Sequence, residues 1–90
     1  MGVKVHIHQA HRDATDGKSV VETRGNNIGE CIKNLMGTYP GMKDILFDGK
    51  GKLRNTIEIY LNQESAYPGE LKKQVKDGDN IHLLFMIAGG

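Results

Sequence analysis

Ninety residues, 38% of them hydrophobic and 26% charged, make one globular domain with one core and no room for a deep substrate cleft. The net charge is +1: Lys50, Lys52 and Arg54, and Lys72, Lys73 and Lys76, interleave with Glu64, Glu70, Asp77 and Asp79. That balance argues against nucleic-acid binding through phosphate neutralisation. A single cysteine, Cys31, excludes an internal disulfide and suits a reducing compartment. With no apolar run near the ~20 residues of a membrane span and no secretory signal, the expected location is the cytoplasm, away from membranes.

The chain opens on strict alternation. Val3, Val5 and Ile7 fall on one face and Lys4, His6 and His8 on the other, as in a half-buried strand. Residues 10–17 (AHRDATDG) read as a turn-rich loop closed by Asp16-Gly17, and Lys18–Thr23 as the second strand of a hairpin. The period then changes. Ile28, Cys31, Ile32, Leu35, Met36 and Tyr39 form one stripe of an amphipathic helix, the only convincing one in the chain. Asn27 is placed as its N-cap with Glu30 as a capping-box partner, and Tyr39-Pro40-Gly41 ends it.

Ile45-Leu46-Phe47 reads as a short strand before a turn at residues 48–52. Thr56–Leu61 alternates again, with Ile57, Ile59 and Leu61 on one face and Thr56, Glu58 and Tyr60 on the other. Residues 62–79 form a polar crossover held to the core by Leu71 and Val75. The last strand, Asn80–Ile87, is apolar on both faces apart from His82. The predicted order is strand, strand, helix, strand, strand, strand: an α+β domain whose one helix covers one face of a mixed sheet, with the last strand free to pair with the first. The other face has no helix left to cover it.

That order, ending in Gly89-Gly90, resembles the ubiquitin-like β-grasp family, and within it the MoaD/ThiS sulfur carriers. The resemblance rests on Tyr39-Pro40-Gly41 after the helix, on Ile57–Asn62 (IEIYLN) as the penultimate strand, on Val75–Ile81 (VKDGDNI) before the last strand, and on Ile87-Ala88-Gly89-Gly90 as the tail. It implies a carrier protein rather than an enzyme, at most the small subunit of a synthase such as the one making molybdopterin. The implied partners are an adenylating enzyme of the ubiquitin-activating type (MoeB/ThiF-like) and a sulfur-acceptor enzyme such as a molybdopterin synthase large subunit. The carrier itself binds no cofactor; the partner uses ATP to activate the Gly90 carboxylate, and a sulfur donor then yields a thiocarboxylate.

Residue chemistry suits that role. Glycine has no Cβ, so a flexible tail over residues 86–90 can thread a narrow channel, and an unbranched α-carbon leaves the Gly90 carbonyl open to attack. Gly89 gives access, and Ile87 and Ala88 extend the contact with the partner. If Ile81, Leu83 and Phe85 face the helix, then His82, Leu84 and Met86 face outward, sharing that side with Tyr60 and with His6 and His8. Apolar and aromatic groups there make a docking patch. The segment Ile81–Phe85 is also similar to the last strand of ubiquitin, which presents a histidine and an aliphatic residue outward.

Other candidates give less. His6, His8 and His11 lack a carboxylate or thiol to complete a metal site and read as solvated. Cys31 lies in the apolar stripe, where an inert buried thiol is expected. Gly49-Lys50-Gly51-Lys52 lacks the spacing and the following helix of a phosphate loop. A modifier conjugated to other proteins through Gly90, or a purely non-covalent interaction domain, are the alternative readings.

Overall fold

A computed structural model describes residues 2–86; Met1 and residues 87–90 lie outside it. Five strands form one mixed sheet: β1 (Val3–Ile7), β2 (Val20–Thr23), β3 (Ile57–Leu61), β4 (Glu64–Ser65) and β5 (Asn80–Phe85), in the spatial order β2-β1-β5-β3-β4. The central pair β1–β5 is parallel, and every other pairing is antiparallel. The last strand thus runs between the first and third, hydrogen-bonded on both sides. This is the ubiquitin-like β-grasp arrangement expected from the element order.

The main helix, α1 (Ile28–Thr38), packs across one face of the sheet. Its stripe of Ile28, Cys31, Ile32 and Leu35 is at most 1% exposed and meets Val3, Val5, Ile7, Ile59, Ile81 and Leu83 from the strands. Removing one such side chain, as in Leu35→Ala, costs about 2–5 kcal/mol through lost transfer energy and the cavity left behind. The start of α1 is fixed as its sequence suggested. Asn27 Oδ1 accepts from the Glu30 amide at 2.8 Å, while the Glu30 carboxylate reaches back past the cap to accept from the Asn26 amide at 2.7 Å. Gly29, in the first turn, lies so close to the crossover that an added Cβ would stand 2.9 Å from the Leu71 carbonyl oxygen.

Several expectations need correction. Residues 42–46 form a second helix, α2 (Met42–Leu46), where a strand at Ile45–Phe47 was expected. Met42 and Leu46 are both at most 1% exposed and stand four apart, so the buried pair follows helical spacing. Pro40, just before the Gly41 N-cap, helps rather than hinders: no helical donor is needed from it there, and its carbonyl accepts from the Lys43 amide at 3.1 Å. Phe47 alone keeps a strand-like bridge, to Leu53.

The loop at 10–17 is mostly a 3-10 helix, Gln9–Thr15, closed by Asp16 and Gly17 at positive φ. The crossover contributes β4, a two-residue edge strand against Tyr60 and Leu61, and a short 3-10 turn at Glu70–Lys72. Leu71 and Val75 pack against the core from it, as expected. No helix of the described residues is long and apolar enough to cross a membrane.

Candidate functional site

The strand that carries the tail begins under tight control. Two of the sequence motifs, the Asn after the penultimate strand and the Asp-Gly-Asp-Asn turn, meet in space. Asn62 adopts a left-handed conformation (φ 59°) at the end of β3. Its amide donates to the Asn80 carbonyl at 2.6 Å, and its side-chain oxygen accepts from the Asn80 amide at 3.0 Å. Asp79 is 7% exposed. One of its carboxylate oxygens accepts from the Lys76 amide at 3.0 Å and the other faces Asn62 Nδ2 at 3.4 Å. Gly78, at φ 89°, makes the turn possible and donates to the Gly2 carbonyl at 2.8 Å. The entry of β5 is therefore held by a backbone bond and by the Asn62 and Asp79 side chains together.

From that start, β5 alternates. Ile81 and Leu83 are buried under the helix (0% and 5% exposed), and His82 and Leu84 turn to the uncovered face. His82 is half-buried there. Its ring stacks on that of His6, directly across the β1–β5 ladder, with centroids 4.2 Å apart and planes 11° apart. His6 Nε2 lies 2.9 Å from Asn80 Oδ1. Burial first, and the neighbouring His6 second, lower the His82 pKa below the usual histidine value. Tyr60 is the partner of His82 on the other side, and Glu58 beside it, by hydrogen bonding and charge, raises the phenol pKa. Leu84 is 40% and Met86 52% exposed. Tyr60, His82, Leu84 and Met86 thus share one surface, with His6 in place of the expected pair of histidines. His8 lies beyond the end of β1, where its Nδ1 accepts from the Ala10 amide at 3.1 Å.

The end of β5 differs from its start. The last β1–β5 rung is Ile7 opposite Leu83, whereas the β3 side continues to Phe85 opposite Ile57. The Met86 amide then donates to the Thr56 carbonyl at 2.7 Å. Phe85 points to the helix side, as expected, but is 42% exposed because the helical cover stops short of it. Its ring meets His11 edge-on, with centroids 5.2 Å apart. The sequence gives no signal for that contact, since His11 precedes Phe85 by most of the chain. Gly89 and Gly90, with Ile87 and Ala88, lie outside the described residues.

The remaining candidates stay apart. Cys31 is fully buried, and burial raises its thiol pKa, the opposite of an activated nucleophile. No group of three metal-ligating side chains occurs among the described residues.

With this geometry in hand, comparison with known proteins is informative. The family model described as the ThiS family matches residues 5–90. The sulfur carrier protein CysO of Mycobacterium tuberculosis is 34% identical over 93 residues, covering 100% of both chains. The crystal structure of the Amycolatopsis orientalis BexX/CysO complex contains a chain 35% identical with a TM-score of 0.86, covering 98% of this chain and 99% of that one. A chain of the complex of subunits 1 and 2 of molybdopterin-converting factor from Helicobacter pylori aligns over 100% of both chains with a TM-score of 0.64, but at 23% identity it shares the fold alone. A family match over residues 5–90, joined to a mixed sheet in the order β2-β1-β5-β3-β4, makes this chain a member of the ThiS family.

Proposed function

We propose that the protein is a cytoplasmic sulfur carrier that works as a substrate of partner enzymes rather than as an enzyme. The observation that carries this reading is the family match running from residue 5 to Gly90, joined to full-length likeness to a protein named as a sulfur carrier. In this reading an adenylating partner joins the Gly90 carboxylate to the α-phosphorus of ATP, with release of pyrophosphate. A hydrosulfide-level sulfur nucleophile then attacks the acyl carbon. The C–S bond forms, the C–O bond to AMP breaks, and AMP leaves with the electron pair. The product is a thiocarboxylate whose sulfur is the nucleophile for the acceptor. Gly89 and Gly90 supply the unhindered approach.

The partner docks on the uncovered sheet face through Leu84 and Met86, with Tyr60 and His82 beside them, and Ile87 and Ala88 enter the partner's channel with the glycines. Large aromatic and apolar groups, two of them 40–52% exposed on one face, suit an interface core. The molybdopterin pathway expected from the resemblance has only fold-level likeness behind it, at 23% identity, against 34–35% for the CysO chains. That difference in likeness supports an acceptor of the kind CysO serves over a molybdopterin synthase large subunit.

Mass spectrometry of the protein purified from its own cells tests the reading. A fraction should be heavier by the difference between sulfur and oxygen, and alkylation of the thioacid separates this from methionine oxidation. Finding only the unmodified carboxylate while the carrier pathway is active would overturn it. Finding the chain joined through Gly90 to lysines of other proteins would establish the modifier reading instead.

A further inference from the structure

At Phe85 the tail-bearing strand has lost one of its two neighbours. Strand β1 has ended, and the chain has turned into the 3-10 helix Gln9–Thr15. His11 of that segment occupies the side that β1 has left, with its ring edge-on to Phe85 at 5.2 Å and 79°. Its Nε2 is buried and has no hydrogen-bond partner among the described residues. A proton there would be a buried donor without an acceptor, so the neutral ring with its proton on Nδ1 is the form that fits. We propose that His11 is a positioning residue for the tail: its neutral imidazole holds Phe85 on the last rung of the sheet and so sets the point and heading at which the chain leaves it. This rests on the carrier reading for its purpose but not for its geometry.

The consequence is one of reach and aim. Four residues beyond Met86 span at most about 14 Å when extended. Holding Phe85 keeps that short tether's origin fixed relative to the docking face, which is how a small carrier aligns its carboxylate with a partner's reactive site. Releasing Phe85 lengthens the tether and loses the aim.

Charge controls the clamp. The ionisable groups around it are His8 and Arg12, flanking His11 in sequence, with Asp13 in the same 3-10 helix. Helix α2, packed on this segment, adds Lys43 and Asp44, while Lys4, His6, His82 and Glu58 on β1, β5 and β3 belong to the opposite face or its rim. Arg12 is engaged with the Ile7 carbonyl, its Nε donating at 3.2 Å. Burial first and His8 second lower the His11 pKa, so the ring stays neutral at pH 7 and takes a proton only on acidification.

Backbone NMR relaxation on the whole protein, with a histidine titration from pH 8 to 5, tests the clamp without any partner. In the wild type the Phe85 and Met86 amides should show order parameters near about 0.85 at pH 7, falling below about 0.6 as His11 protonates. H11A should show the low value at every pH. H11F, which keeps the aromatic edge and cannot titrate, should hold the high value throughout, with H11L as a second non-titrating variant if H11F misfolds. With the activating enzyme of the same cell, H11A should lower kcat for adenylate formation about tenfold with KM unchanged, and H11F should restore it. Equal Phe85 order in wild type and H11A, or an acid transition that persists in H11F or H11L, would overturn the clamp. Absence of any adenylate with the wild type would instead strike the carrier reading, with the relaxation data still deciding the clamp.

Discussion

At its start, β5 is tied down by side chains: Asn62 exchanges hydrogen bonds with Asn80, and the buried Asp79 carboxylate caps the turn at Lys76. At its end, the same strand has a single neighbour, one further rung from Met86 to Thr56 and one aromatic contact from Phe85 to His11. The difference follows from what each end must do. A strand that enters the middle of a sheet has to be placed in register on both sides, because a one-residue slip would turn Ile81 and Leu83 out of the core. On the carrier reading, a strand whose last residues go to another protein has to let go of its neighbours near the exit. Stability and function are thereby separated along six residues of one element.

The separation can be broken most severely from the functional end. Adding one bulky residue after Gly90 should abolish thiocarboxylate formation, a loss beyond about a hundredfold on the carrier reading, because the activated carboxyl group is no longer where glycine's small size lets it enter. On the carrier reading the tail acts in the partner rather than in the fold, so the melting temperature should not move. Thiocarboxylate yield and thermal unfolding of the same sample check both halves. Full activity in the extended protein would sink the carrier reading.

The opposite experiment strikes the start of the strand. Asp79→Ala removes the carboxylate that caps the Lys76 amide, and the loss of a charge-assisted hydrogen bond at a 7% exposed site should cost about 2–3 kcal/mol. Urea unfolding would show a lower midpoint with an unchanged slope. At temperatures where the variant is still folded, transfer by the activating enzyme should remain near the wild-type rate. A stability change under about 0.5 kcal/mol, typical of an unremarkable surface site, would show that the turn does not set the register.

Between these lies the proposed docking face. Leu84→Asp places a charge on a 40% exposed position, so stability should change by no more than about 0.5 kcal/mol. Affinity for the activating enzyme should fall about ten- to a hundredfold if that side chain sits in the core of the interface. Titration calorimetry of the pair measures it, and unchanged affinity would move the interface elsewhere.

Much of this arrangement is written in local pattern. Alternation placed β1, β3 and β5, the stripe from Ile28 to Leu35 placed the helix, and Asn27 and Glu30 marked its start. The misses have physical causes. α2 spans five residues, too few to show a period, and the run Ile45-Leu46-Phe47 at its end looks the same in a short helix as in a short strand. β4 has two polar, exposed residues and exists because β3 offers them a ladder, a tertiary effect with no local signature. On the functional side, the shared surface of Tyr60, His82, Leu84 and Met86 follows from period two, whereas the meetings of Asn62 with Asp79 and of His11 with Phe85 depend on strand order. No pattern within either segment encodes them.

The smallest expected effect is on pH. Two histidines, His11 near the strand's exit and His82 on the uncovered face, have pKa values lowered mainly by burial. Each folded-state value lies below the unfolded value of about 6.5, so the unfolded chain binds protons more readily as the solution is acidified. Their contribution to stability is complete above about pH 6.5 and is lost as pH falls through the folded-state values. Both rings are partly exposed to solvent, which keeps the loss modest. Thermal unfolding from pH 8 to 5 should be flat at the basic end and then decline, and His82→Gln should flatten part of that decline. The two sites also separate by position. Acidification should loosen Phe85 through His11, while at His82 it places charge 4.2 Å from the His6 ring on a face that, on the carrier reading, has to lose water when it docks. Partner affinity should therefore fall over the same range in H11F, where the clamp cannot titrate, and the His82→Gln substitution in that background should remove part of the fall.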